Sequence, residues 1–513
     1  YGNAVTVGGS ASIVSDRVSN GAGVTHTLGT LSLGAYTLTI DKGAYVTSGT
    51  AGITFSGATS LTGATAGITT TSAGVLTTLT GSVTSTVTGN ALTVAGSGDT
   101  TLSGGLNTST SATLTKNGSG TLTLGAAGNY TGATTINAGV IKLGANNAIT
   151  SSSALNIAAS SATLDLNGYN DTVYSLTGVA NALVLNSANG TASTLTVANG
   201  AGLTYAGIIE DNAGSGATGT VAVTLNGTTV LTLTGVNTYS GATTLGATAN
   251  TLALKDGGSI ANSAKVTVGS TAIFDISQTT TGASIVSLNS AGTVKLGSKV
   301  LTLSNAGDTF SGAIQNGGIG GGTGGSLVLS AGSETLSGTN TYTGGTTISA
   351  GTLRAQGTAS LSGTGTIALN GGTLQLAQDT AGTYGNAVTV GGSASIVSDR
   401  VNSGAGVTHT LGTLSLGAYT LTIDKGANVA SGTAGITFSG ATSLTGAAGI
   451  TTTSTGVLTT LTGSVTGTGN ALTVGGSGDT TLSGGLNTST SATLTKNGSG
   501  LSLIHISEPT RPL

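Results

Sequence analysis

Histidines, carboxylates and glycine-rich phrases are the places where this sequence could do chemistry. His26 in VTHTLG returns as His409 in the same phrase. An imidazole can act as a general base or a ligand, but it needs an orienting partner or companion ligands. Neither phrase supplies a second His or a Cys, so a hydrogen-bonded side chain near a coil edge is expected. Asp16-Arg17 and Asp41-Lys42 recur as Asp399-Arg400 and Asp424-Lys425, and Glu210-Asp211 is an adjacent acidic pair. Glycoside hydrolysis needs two carboxylates facing one another across a cleft. Here charges are sparse and those recurring acids each neighbour a base, which favours solvated turns. Glu210-Asp211 could hold a cation, with a turn as the favoured reading. GGSGD from Gly475 carries its Asp one position early for a calcium-binding nonapeptide and does not repeat in tandem. Gly320 to Gly325 fits G-x-G-x-x-G, but the strand-like SLVLS follows where a phosphate-binding helix would open. Neither GxSxG nor HExxH occurs. No catalytic, cofactor-binding or metal-ligating residue is assigned, no cofactor is expected, and the protein reads as a non-enzyme.

The elements that would position these groups are short strands. AVTV from Ala4, TLTI from Thr37, ALTV from Ala91, TLTL from Thr121, TLDL from Thr163 and VLTLS from Val300 alternate apolar and polar residues. Side chains alternate across a strand, so Leu122 and Leu124 share one face and Thr121 and Thr123 the other. Clusters of Gly, Asn, Ser and Asp cut the chain between strands, and Gly and Asn tolerate the positive φ of tight corners. No helix-period segment is long enough to cross over a parallel sheet. Of 513 residues, 90 are Gly, 6% are charged, 3% are aromatic and none is Cys, Met or Trp. An ordinary domain carries about 25% charge. Yet 37% of the chain is hydrophobic and mean hydropathy is +0.31, which argues against disorder. The net charge of −3 brings no basic stripe, so no nucleic-acid partner is expected.

Repeats organise the chain at two scales. YGNAVTVGGSASIVSDRV from Tyr1 returns unchanged from Tyr384, and the copy runs to Gly500 with two short gaps. Residues 1–383 read as one long unit and 384–500 as the start of a second, together a single repetitive body over 1–500. Residues 501–513, LSLIHISEPTRPL, hold both prolines, Pro509 and Pro512, with His505 and Glu508. They match nothing else and look like a translated sequencing adapter, so a non-native tail is expected. The chain is read as a fragment of a longer protein. A shorter motif recurs inside the long unit: NYTGATTI from Asn129, NTYSGATTL from Asn237 and NTYTGGTTI from Asn340. The structural residues are Asn129, Tyr130 and Gly132, then Asn237, Tyr239 and Gly241, then Asn340, Tyr342 and Gly344. Related phrases centre on Tyr205 and Phe310. The tyrosines read as corner anchors rather than a ligand-stacking ladder.

Those motif residues resemble the autotransporter-associated β-strand repeat of Gram-negative passenger regions, most clearly over 118–148, 228–254 and 326–356. The resemblance implies an all-β, right-handed parallel β-helix of stacked short strands. One coil cannot bury its apolar stripe, whereas stacked coils cover one another. Coils of about 20–29 residues are expected by analogy with other solenoids. The resemblance also implies a rigid stalk or adhesin at the cell surface, outer membrane or outside a Gram-negative bacterium. Its ligand would be a host-surface or matrix component. Membrane attachment would come only through a C-terminal β-barrel outside the fragment. Open solenoid ends invite self-association. Two alternatives stay open: an S-layer or matrix structural protein, and a polysaccharide-cleaving β-helix enzyme. Regular Thr-x-Thr ladders on a flat face could also order water, but the Thr spacing is irregular.

Overall fold

The computed structural model describes all residues except 109–110, 200–201, 212–215, 217, 364, 489–491 and 506–513. Glu508, Pro509 and Pro512 lie outside the described residues. The alternating phrases do form strands: Val5–Val7, Thr37–Lys42, Ala91–Ala95, Thr121–Leu124, Thr163–Asp165 and Val300–Leu303. In Thr121–Leu124, Leu122 and Leu124 are buried while Thr121 and Thr123 are half-exposed. The single helical turn among the described residues is a 3-10 turn at Thr358–Leu361.

The chain divides into two units, Tyr1–Ala264 and Lys265–Leu513. Each is a parallel β-solenoid. In the first unit, eleven described strands from Ala11–Ser15 to Thr251–Asp256 pair in sequence along one face, and nine from Thr25–Leu28 to Ile208–Ile209 along a second. A third side is interrupted: a four-stranded run ends at Val83–Ser85 and pairing resumes at Asp171–Val173. The second unit likewise has eleven strands from Val266–Val268 to Leu494–Lys496, with a ten-stranded face from Ala283–Ile285 to Leu486–Thr488.

Register sets the length of one coil. Leu327 pairs with Thr346, 19 residues on, and Leu38 with Ile68, 30 residues on. Every strand pair described within a unit is parallel, so main-chain hydrogen bonds run from coil to coil and satisfy the backbone. The interior is filled by Leu, Ile, Val and Ala, with all four phenylalanines, Phe55, Phe274, Phe310 and Phe438, fully buried. Polar ladders also run inside. Thr70 Oγ1 lies 2.8 Å from Thr77 Oγ1 and 2.9 Å from Thr100 Oγ1. The second copy repeats the trio with Thr452, Thr459 and Thr480. Each hydroxyl of these two trios thereby escapes the cost of an unmet hydrogen bond.

The tail joins the stack for one strand. Ser502–Ile504 pairs with Asp479–Leu482, and the His505 amide donates to Leu482 O at 3.1 Å. The fit is imperfect. Leu501 and Leu503 stand 71% and 64% exposed, in the places that Thr121 and Thr123 take in the first copy.

Candidate functional site

The recurring feature is a corner. Tyr130, Tyr239 and Tyr342 are buried, and each hydroxyl meets the Thr four residues on. Tyr130 Oη lies 2.6 Å from Thr134 Oγ1 and Tyr239 Oη 2.7 Å from Thr243 Oγ1; Tyr342 meets Thr346. Thr134 and Thr243 pass the chain to Ser153 and Ser263 of the next coil, at 2.8 and 2.9 Å. Burial pushes the Tyr342 phenol up to about 12 and the Tyr130 and Tyr239 phenols higher still, so all three stay protonated. A phenol sealed in this way anchors a turn and is closed to an outside ligand.

The motif glycines serve a different need from the one expected of corner glycines. Gly132, Gly241 and Gly344 do not have positive φ. Instead a Cβ there would stand 2.3 Å from Ala112 O, 2.3 Å from Val221 O and 2.1 Å from Gly324 O. The backbone approaches the preceding coil too closely for any side chain. The same aromatic-x-Gly step occurs at Tyr205-Gly207 and Phe310-Gly312, and also at Phe55-Gly57 and Phe438-Gly440. With Leu in the aromatic place it continues, as in Leu233-Thr-Gly235 and Leu336-Ser-Gly338. The sequence carries that wider pattern as apolar-[Ser/Thr/Ala]-Gly.

The motif asparagines fall into two classes. Asn237 and Asn340 are buried. Asn237 Oδ1 accepts the Ile209 amide at 2.9 Å and its Nδ2 donates to Gly235 O and Ser259 O. Asn340 Oδ1 accepts the Ile314 amide at 2.8 Å and its Nδ2 donates to Ser360 O. Asn129 sits one residue closer to its Tyr and is exposed, with its amide on Leu106 O.

The groups singled out for chemistry are dispersed. Among the described residues, no three His, Asp or Glu side chains gather as a metal site would require. Asp41 Oδ1 accepts the Lys42 amide and the Ser72 hydroxyl, and its carboxyl is held below the usual range by the Thr71 hydroxyl first and then by these two groups. Asp424 Oδ1 likewise accepts the Lys425 amide and the Ser454 hydroxyl. Asp16 Oδ1 accepts the amides of Arg17 and Tyr45. Asp211 accepts the Val221 and Ser240 amides, and burial beside it raises the carboxyl of Glu210. The GGSGD Asp479 caps the next strand by accepting the Leu501 amide. In the glycine loop from Gly317, one amide does hold a carboxyl group, but it is the chain's own Asp275. Its Oδ2 accepts the Ile319 amide at 2.7 Å, while the Gly320 amide meets Ser277 Oγ.

Several charges depart from the solvated-turn expectation by being buried, Lys116, Asp165, Asp171 and Asp275 among them, and Asp399 and Glu334 show the two extremes. Asp399 is 1% exposed and its Oδ2 binds Arg354 Nη1 at 2.9 Å and Gln375 Nε2 at 2.6 Å. Glu334, wholly buried on the inward side of Ser333–Leu336, has no hydrogen-bond partner for either carboxyl oxygen. Burial, reinforced by nearby Asp308, raises it to about 9. Asp308 itself binds Ser287, Asn289 and Lys265 and stays below the usual range. His409 is buried, with Nε2 3.1 Å from Asp399 O and Nδ1 accepting the Gly382 amide at 3.3 Å. Burial lowers its basicity.

Comparison with known proteins follows the corners. The passenger-associated-transport-repeat family matches residues 114–143, 223–247 and 324–355, and each match holds one Tyr–Thr corner. The chain is similar to the "Adhesin BmaC autotransporter" of Brucella suis biovar 1 (strain 1330), with 36% identity over 152 residues. That stretch is 29% of this chain and 4% of the relative's length. No solved structure matches the chain. The three matched segments fit the passenger-associated transport repeat, and the β-solenoid that carries them is similar to a repeat region of an autotransporter passenger.

Proposed function

We propose that this chain is a non-enzymatic, surface-displayed stalk and adhesive segment of an autotransporter in a Gram-negative bacterium. Its partner would be a host-surface or matrix component. The observation that supports this most is the sealed Tyr–Thr corner, repeated in all three segments matched by the passenger repeat family. A relative named an adhesin adds to it. Function would then be geometric, with stacked coils holding polar outer faces away from the cell. Of the acids weighed for polysaccharide cleavage, Asp16, Asp41 and Asp211 instead accept backbone amides, and Asp41 also a hydroxyl of the next coil.

The test is adhesion of cultured epithelial cells, and of matrix-coated beads, to surfaces carrying the folded chain. Saturable binding above an albumin-coated surface, lost on heat unfolding, is the expected result. Binding no better than albumin by a chain shown folded by circular dichroism would overturn the adhesive part. Release of new reducing ends from polysaccharide would overturn the non-enzymatic part.

A further inference from the structure

One outward groove is built twice, once in each unit. In the first copy it is lined by Ser10, Tyr36, Thr37, Gly67, Thr69 and Thr93, with a volume of about 290 Å³. In the second the counterparts are Ser393, Tyr419, Thr420, Gly449, Thr451 and Thr473, at about 350 Å³. Ligand sites run from about 300 to 1,000 Å³, so both are at the small end of that range.

Two glycines shape each groove. Thr37, Gly67 and Thr93 stack in register on the outer face, as do Thr420, Gly449 and Thr473. The missing side chain opens a notch between two Thr hydroxyls; a Cβ on Gly67 would stand 2.7 Å from Thr37 Oγ1 and one on Gly449 2.9 Å from Thr420 Oγ1. The second glycine seats the aromatic wall. The Tyr36 ring lies over Gly34, where a Cβ would be 3.2 Å from Cδ2, and Tyr419 lies over Gly417 at 3.1 Å. These tyrosines are 44% and 43% exposed, unlike the sealed corner tyrosines. The groove also persists where the copies differ in length, SLTGATAG against SLTGAAG.

The lining selects a ligand by its chemistry. Neither groove is lined by a charged side chain, so phosphate, sulfate and carboxylate ligands find no counter-charge. The floor strand Thr65–Thr70 is paired on both sides, so no edge is free to accept a peptide strand. What remains is one aromatic face beside rows of neutral hydroxyls. A sugar ring offers the matching surfaces, an apolar C–H face for the ring and hydroxyls for Thr and Ser. We propose that the Tyr36 and Tyr419 grooves are binding sites for neutral, uncharged saccharides.

This deepens the adhesion reading, and its test separates the two. The full chain is probed on a glycan array and by saturation-transfer NMR with neutral hexose and N-acetylhexosamine oligosaccharides, alongside sialylated and sulfated ones. Neutral glycans should bind. The double variant Tyr36→Ala/Tyr419→Ala should weaken them about tenfold or more, while Tyr36→Phe/Tyr419→Phe keeps most of the binding. The rings are exposed, so hydrogen exchange of Thr65–Thr70 and Ala448–Thr452 should be unchanged. No neutral glycan binding, a preference for charged glycans, or unchanged binding by the alanine double variant would each overturn the proposal. Cell adhesion that survives the double variant would remove the saccharide grooves and leave the adhesion reading standing.

Discussion

Residues 1–120 and 384–500 are nearly the same sequence with different neighbours, and the contrast separates what a coil determines from what its stack determines. Registers agree: Val5 pairs with Leu31 as Val388 does with Leu414, and His26 with Ile53 as His409 does with Ile436. Environments do not. Tyr1 is 87% exposed and Tyr384 8%, because Tyr384 has a coil before it. At the other end the order reverses. Lys116 is buried under the following coil, where its Nζ donates to Asn117 O, Gly118 O and Ala138 O. Lys496, its counterpart, is exposed and keeps only the two local carbonyls. Short-range sequence thus writes strand, corner and register, whereas burial and electrostatics are conferred by the neighbouring coil.

Paired substitutions can break that contrast. Stability in such a stack is local, so segment-resolved hydrogen exchange is the readout. Tyr384→Ala should cost about 3–5 kcal/mol around Thr408–Leu411, as loss of a buried aromatic does, while Tyr1→Ala stays within about 0.5 kcal/mol. Tyr239→Ala, in a corner, should match Tyr384→Ala. Asp399→Ala comes next: it strands Arg354 and Gln375, for about 3–5 kcal/mol across Thr373–Ala377 and Ala394–Asp399. Asp16→Ala removes only two amide bonds, from Arg17 and from Tyr45 of the next coil, about 1 kcal/mol. Equal losses at the paired sites would mean that neighbouring coils matter little.

Glu334 sharpens the contrast, since it is buried like Asp399 but lacks a cation. Its carboxyl is raised from 4.5 to about 9. Below pH 4.5 both the folded and unfolded chains hold the proton and nothing is lost. Between pH 4.5 and 9 the unfolded chain releases it first, so stability falls as pH rises. Glu334→Gln should therefore stabilise Ser333–Leu336 by about 3 kcal/mol at pH 7 and by little at pH 4. A pH-independent gain would contradict the burial account. Lys116, lowered to about 8 by burial, has the opposite slope: its cost is present below pH 8 and fades toward 10.5. Lys116→Met should stabilise Thr113–Lys116 by about 1–2 kcal/mol at pH 7, and Lys496→Met should change its segment by less than about 0.5 kcal/mol.

The fold was legible because period-two alternation survives in short strands such as Thr121–Leu124, and one coil's apolar stripe demands a partner. The Tyr corners were legible because the motif recurs. The reason for their glycines was not, since Gly132 answers to Ala112 O, a backbone atom in another coil. Nor were the buried charges. Arg354 and Asp399 lie 45 residues apart, and whether an Asp is a solvated turn or half of an ion pair depends on which coil comes to cover it. Asp16 and Asp399 sit in identical phrases, so no local pattern could distinguish them.

His409 gives the smallest effect and the finest test. Burial lowers its imidazole below the ordinary 6.5, against the opposing pull of the Asp399 carbonyl and charge. A lowered folded value means that the neutral ring stabilises the fold above pH 6.5. That contribution is lost as acid protonates the unfolded chain first and then the ring. Both ring nitrogens are engaged, with Gly382 donating to Nδ1, so a second proton must also displace that amide. Protection of Thr408–Leu411 should fall as pH drops from 6.5 toward 5. His409→Gln should flatten the slope. A flat profile in Thr408–Leu411, or a slope that survives His409→Gln, would show that burial under the covering coil does not set the ring's ionisation.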